Sequence, residues 1–157
     1  MSLLLHLCCA PCLIYPEQVL NREGIDFSGY FYNPNIHPYR EFRKRLDGVQ
    51  SYCQDRNIAL IVERDYGLRE FLRAVVFKES KRCPVCYNMR MEKTVKTAQE
   101  RGFELFSTTL LYSKYQNHSL IKTQADILSE TSSVSFIYRD FREGWQLGVD
   151  GSVSLGL

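Results

Sequence analysis

Apolar and polar positions divide this chain into short apolar runs and longer amphipathic stretches. Ser2 to Leu7 is short, mostly apolar and ends at a cysteine–proline bend, so it predicts a buried strand. From Cys12 to about Arg22 a helix is predicted, with Pro16 tolerated in its first turn and Gly24 as its stop. Phe27 to Tyr32 (FSGYFY) predicts a second strand, and the turn-rich NPNIHP breaks it. Pro38 then opens a helix. Tyr39, Phe42, Leu46, Val49 and Cys53 recur at spacings of three and four, so they form one apolar stripe with Cys53 as a small core hydrophobe.

The same succession continues. Ile58 to Val62 predicts a third strand and Leu68 to Val76 a short helix. A polar loop, KESKRCPVC, leads into a helix over Pro84 to Arg101 that Gly102 ends. Glu104 to Ser107 predicts a fourth strand, and Thr108 to Gln116 a loop. Asn117 caps a helix reaching Glu130, and Val134 to Tyr138 predicts a fifth strand. The tail, GWQLGVDGSVSLGL, has little pattern.

Strands alternating with helices predict a single α/β domain over residues 1–157, a mostly parallel sheet with helices on both faces. Ligands of such sheets bind beyond the carboxyl ends of the strands. The segments at those ends are the cysteine triplet, NPNIHP, STTLLYSKYQNH and RDFR. Nearly every unusual polar or thiol residue therefore collects at one sheet edge.

Composition adds limits. With 157 residues, 45% hydrophobic and 24% charged, the chain has ordinary globular composition and room for one core. It has no internal repeat. No apolar run is long enough to span a bilayer, and no basic region precedes the first one, so no membrane association and a cytosolic location are expected. The net charge of +2 excludes a chain that binds nucleic acid by bulk charge. Its cations are clumped, however: Arg40, Arg43, Lys44 and Arg45 form one group, and Lys78, Lys81 and Arg82 another, with Arg90, Lys93 and Lys96 beyond. Such clusters bind anions locally or are solvated helix faces.

Six cysteines in a reducing compartment point to metal or redox chemistry before structural disulfides. Five lie in two groups, Cys8, Cys9 and Cys12 in CCAPC, and Cys83 and Cys86 in CPVC. Thiolates are soft ligands suited to zinc or iron–sulfur clusters. The CPVC group sits at a predicted helix start beside Lys81 and Arg82, a setting that favours thiolate. One CxxC fits zinc, an iron–sulfur cluster or a redox disulfide; two such groups favour a bound metal or cluster. His6, within a strand, reads as a core histidine. His37 reads either way. The loop residues Thr108, Gln116 and His118 suit either a polar substrate pocket or a turn with a helix cap. Asp140 and Arg142 suit an ion pair, or Asp140 a proton-donor or ligand role.

LHLCCAPC, YFYNPNIHPYREFRKR, CPVCYNMR, FSTTLLYSKYQNH and RDFREG together resemble the QueH-type epoxyqueuosine reductases, in order, from Leu5 to Gly144. The resemblance implies a Rossmann-like sheet similar to that of nucleotide alpha-hydrolases. It implies the last step of queuosine biosynthesis, reduction of the epoxide of epoxyqueuosine at the tRNA wobble position, and a [4Fe–4S] cluster with an additional iron. By motif, Cys8, Cys9, Cys83 and Cys86 would be cluster ligands, with Cys12 a spare thiol for a second metal. Asn33, Asn35, His37, Arg45, Thr108, Gln116 and Arg142 would meet the substrate. Asp140, Tyr115 and His118 are the candidate proton-moving groups. The anticodon loop of the tRNA is the expected partner, with Tyr32, Tyr39 and Tyr87 as candidate stacking rings, although the helix stripe favours a core position for Tyr39. An external donor of the ferredoxin or flavodoxin type would supply electrons. Family members continue past an LGL-like segment into a stretch with Cys-Gly-Cys, treated as a redox-active pair. This sequence stops at LGL, so an extension is expected beyond it.

The chemistry agrees with these residues. Deoxygenating an epoxide to an alkene needs two electrons and protonation of the departing oxygen. No GxGxxG follows the first strand, so thiolate-bound metal is the expected electron source. The rival readings are a zinc-stabilised tRNA- or nucleotide-binding protein without redox activity, and a thiol–disulfide oxidoreductase using CPVC. The absence of CxxxCxxC disfavours radical chemistry with S-adenosylmethionine.

Overall fold

The computed structural model describes residues 2–36, 38–63, 68–76 and 82–157, without the side chains of 68, 70, 75, 82 and 83. Five strands form one sheet in the order β3-β2-β1-β4-β5, every neighbouring pair parallel. They are β1 (Ser2–Leu7), β2 (Asp26–Phe31), β3 (Leu60–Val62), β4 (Leu105–Thr108) and β5 (Ser135–Phe136). The helices between and after them are α1 (Ile14–Arg22), α2 (Tyr39–Asp55), α3 (Leu68–Val75), α4 (Arg82–Arg101), α5 (His118–Glu130) and α6 (Trp145–Leu155). This is the α/β, Rossmann-like architecture expected.

β1 is the central strand, and its composition follows from that place. Strand side chains alternate between sheet faces. Leu3, Leu5 and Leu7 enter a core with Phe42, Leu46, Val49 and Cys53 of α2. Leu4 enters the opposite core with Met91, Val95 and Ala98 of α4 and Ile121 and Ala125 of α5. A strand covered on both faces needs apolar residues at successive positions. Cys53 is core, as its place on the stripe implies, and burial pushes its thiol up to about 11. Tyr39 departs from the stripe: it is 55% exposed at the first turn of α2, with its ring against Phe42.

Several element boundaries differ from expectation. The first helix is split, a short 3₁₀ turn over Pro11–Leu13 preceding α1. α4 begins at Arg82, so CPVC lies inside its first turns. β3 and β5 are three and two residues long. The tail, which had little pattern, forms α6. It docks through glycine: a Cβ at Gly148 would stand 2.2 Å from the Tyr112 hydroxyl, and one at Gly144 would enter the Tyr15 ring. Glycines at the contact leave no apolar stripe to read.

The chain runs from β1 outward through β2 and β3, then returns to place β4 on the other side of β1. Strand order reverses at β1/β4, and the crevice beyond their carboxyl ends is where such sheets hold ligands.

Candidate metal and substrate site

Beyond β1 the chain bends at once. Cys8 and Cys9 follow the strand, and Cys12 lies in the 3₁₀ turn. The sulfurs of Cys8, Cys9 and Cys12 lie within 4.8 Å of one another, with Cys9 Sγ and Cys12 Sγ 2.8 Å apart, and all three thiols are free. The three are within reach of one metal centre. They line a cavity of about 850 Å³ together with Cys86, from the first turns of α4. Four soft ligands on the wall of one crevice fit a thiolate-bound metal or iron–sulfur group. Cys12, expected as the spare thiol, belongs to this group. The side chain of Cys83 lies outside the described residues, as does His37.

The loop is pinned from below. His6 is fully buried, with Nε2 3.0 Å from the Tyr32 carbonyl and Nδ1 3.0 Å from Thr108 Oγ1. A carbonyl only accepts, so Nε2 carries the proton and Nδ1 accepts from the threonine hydroxyl. Burial, aided by the charge of Arg90, lowers the His6 pKa to about 4, which keeps the ring neutral. His6 is the satisfied core histidine expected. Thr109 donates to the His6 carbonyl at 3.1 Å and accepts from the Cys8 N–H at 3.2 Å. Hydrogen bonds from Cys12 and Cys9 hold the Cys8 thiol well below the usual thiol range, and the Arg90 charge adds to them. Hydrogen bonds to Cys8 and Cys9 push Cys12 well above it.

Around the thiols the cavity is polar and cationic. Lys44, Arg45 and Arg90 line it, as do Asn35, Ser113 and Gln116. Arg45 Nε donates to Glu41 Oε1 at 2.8 Å. Arg90 is 5% exposed, and its Nε and Nη2 both donate to Asn35 Oδ1. The Tyr87 hydroxyl donates to Gln116 Oε1 at 2.6 Å and accepts from the Asn117 N–H, fixing α4 to the turn before α5. Gly156 and Leu157, after α6, complete the lining.

Of the residues expected at the substrate, Asn35, Arg45 and Gln116 therefore meet at the cysteine-lined cavity. Asn33 is buried beneath it, its amide donating to the Leu7 carbonyl at 2.9 Å. Thr108 is buried in the His6 network, its oxygen also accepting from Leu110 N. Tyr115 is 78% exposed, in the turn between Ser113 and Gln116, with Lys114 Nζ over its ring and Trp145 against it. His118 is buried and turned to the Ser113 carbonyl at 3.1 Å. Asp140 and Arg142 form the ion pair, 2.6 Å between Oδ2 and Nη2, beside a separate cavity that Asp140 shares with Arg22, Glu23 and Arg139. The hydrogen bond from Arg142 first of all lowers the Asp140 carboxyl to about 2, so it is ionised at neutral pH.

Arg90 escaped the sequence reading, which placed it in a basic cluster. Its spacing of four from Cys86 on one helix was the available signal, because residues so spaced share a face.

The sequence model of the family described as "Epoxyqueuosine reductase QueH" matches residues 3–157. Among curated proteins, "Epoxyqueuosine reductase QueH" of Dehalococcoides mccartyi is 36% identical over 142 residues, 90% of this chain and 78% of that protein. The protein of the same name from Thermotoga maritima is 34% identical over 165 aligned positions, 99% of this chain and 84% of that protein. The one from Acinetobacter baylyi is 38% identical over 121 residues, 74% of this chain and 55% of that protein. The family match runs through the strands, the cysteine loop and the first turns of α4 that build the crevice, and the chain belongs to the QueH family of epoxyqueuosine reductases.

Proposed function

We propose that this protein reduces the epoxide of epoxyqueuosine, at the wobble position of a tRNA anticodon, to the cyclopentene of queuosine. The balance is two electrons and two protons consumed and one water released. The observation that carries the reading is the meeting of Cys8, Cys9, Cys12 and Cys86 with Asn35, Arg45 and Gln116 on one cavity beyond β1 and β4. Those thiolates, with Cys83 as the expected fifth, would hold a [4Fe–4S] cluster, with an additional iron as a second occupant. Bound there, such a cluster supplies electrons singly at low potential. An external ferredoxin- or flavodoxin-type protein is the proposed donor.

The chain's own residues supply the rest. Lys44 sets positive charge at the cavity, beside the Arg45–Glu41 pair, where a loop phosphate would be neutralised. Asn35 and Gln116 offer amides to the hydroxyls and base of the modified nucleoside. Tyr115, propped on Trp145 with Lys114 beside both rings, presents an open aromatic face on which a flanking base would stack. Its hydroxyl is also the proposed proton source for the departing oxygen. Asp140 is ionised and paired, which suits a structural ion pair.

The test is iron, zinc and acid-labile sulfide per chain on anaerobically purified protein, followed by turnover of an anticodon stem–loop carrying epoxyqueuosine. About four irons with matching sulfide, and the queuosine product, support the proposal. About one zinc without sulfide, and no product, would replace it with the zinc-stabilised RNA-binding reading.

A further inference from the structure

Arg90 is a buried cation with no carboxylate partner among the described residues. It is 5% exposed, and none of the ion pairs among the described residues includes it. Burying an unpaired charge is costly, and a fold retains one where an anion compensates it. Arg45, the neighbouring cation on the same cavity, has such a partner in Glu41. Arg90 instead shares its cavity with four thiols. It lies one helical turn after Cys86, both line the cavity, and the charges that act on it most favourably are those of Cys8 and Cys86.

The group that orients Arg90 is neutral. Asn35 Oδ1 accepts from both Nε and Nη2, the geometry a carboxylate usually provides. An aspartate there would make the same two bonds and cancel the charge. Asparagine fixes the guanidinium and leaves its charge, with three of its five N–H groups, for the cavity.

We propose that Arg90, steered by Asn35, is the resident countercharge of the thiolate-bound centre, and that asparagine at position 35 keeps that charge uncancelled. The proposal rests on the reading of the thiols as metal ligands. A centre held by several thiolates carries net negative charge, and one-electron reduction makes it more negative. A fixed cation beside the sulfurs therefore favours the reduced form, because net charge and hydrogen bonding near the sulfurs set the potential. Arg90 is a positioning and electrostatic residue under this proposal, with no contact to reacting atoms required.

The experiment is a redox titration of the reconstituted full chain and of Arg90→Gln, Arg90→Lys and Asn35→Asp. Asn35→Asp keeps both hydrogen bonds and guards against a misfolded Arg90→Gln. Arg90→Gln and Asn35→Asp are expected to shift the midpoint negative by about tenfold in the reduction equilibrium, roughly 59 mV for one electron. Arg90→Lys should stay near the parent value. Unshifted potentials in Arg90→Gln and Asn35→Asp, with only a raised KM for RNA, would overturn the proposal and make Arg90 a phosphate anchor. If the parent chain takes up zinc without sulfide, the reductase reading fails separately. The countercharge is then read from zinc loss to a chelator: faster loss in both neutralised variants supports it, and equal retention overturns it.

Discussion

The Cys8 backbone N–H donates to Thr109 Oγ1 at 3.2 Å, tying the first thiol after β1 to the turn after β4. The same hydroxyl donates to the His6 carbonyl at 3.1 Å, so one side chain closes the crevice between the two strands at its base. A hydroxyl with one proton and two buried neighbours has no apolar substitute. Thr109→Val would leave the Cys8 N–H without its partner and should cost about 1–3 kcal/mol. Thr109→Ser should keep most of the stability. Urea unfolding measures the first effect, and metal content per chain shows whether the cysteine loop holds its shape. Equal stability of the valine and serine variants would exclude this bond as the brace.

The two kinds of cysteine should separate by experiment. Cys53 is buried in the α2 core, away from the cavity. Cys53→Ala should lower stability by about 1 kcal/mol through the small cavity it leaves, with metal and sulfide per chain unchanged. Cys86→Ser should do the reverse: little change in the thermal midpoint of the metal-free chain and a clear loss of bound metal. Elemental analysis beside a thermal melt distinguishes them.

Asp140 offers a pH test. Its carboxyl is lowered from 3.8 to about 2 by the hydrogen bond from Arg142. Between those values the unfolded chain binds more protons than the folded one, so the stabilisation is complete above about pH 4 and lost as pH falls through 2. The pair is largely exposed, so screening limits it to under about 1 kcal/mol. Asp140→Asn should therefore match the parent below pH 2 and be slightly less stable at pH 7. An acid-limb pKa for turnover that disappears in Asp140→Asn would instead make this carboxyl a proton-moving group.

Gly148 tests the docking of α6. A Cβ there meets the Tyr112 hydroxyl at 2.2 Å and its ring at 2.7 Å, and Tyr112 both donates to the Trp145 carbonyl and stacks on its ring. Gly148→Ala should cost about 1–3 kcal/mol by overpacking and disturb the stack. Trp145 is the only tryptophan of the chain, so its fluorescence reads that change directly. An unmoved spectrum and melting midpoint would show that the contact yields easily.

Tyr115 separates stacking from proton transfer. Tyr115→Ala should weaken binding of an anticodon stem–loop by about 1–3 kcal/mol, the usual worth of a base–aromatic stack. Tyr115→Phe keeps the ring and removes the hydroxyl. Parent-like binding with lost turnover in the phenylalanine variant would identify the hydroxyl as the proton source, and parent-like turnover would leave the ring its stacking role alone.

The sequence by itself determined the order of strands and helices, because burial imposes a period on each. β1 reads as an unbroken apolar run because both its faces are covered, and α2 shows its core face at helical spacing. The cysteine groups were equally visible, as was the place of CCAPC at the end of the first strand, since the order of elements sets that edge. Tertiary structure decided what local pattern does not encode. α6 docks on Tyr112 and Tyr15 through glycines, which carry no hydrophobic signal. β5 pairs through only two residues, too few for an alternation. Thr108 and Asn33 are polar residues in a promising loop, yet the distant groups they meet, the His6 ring and the Leu7 carbonyl, come from the fold around them. Arg90 looked like one more basic residue on a helix. Its meaning depends on Asn35, 55 residues earlier, which fixes its guanidinium at the cysteine-lined cavity, and only a folded chain brings those two together.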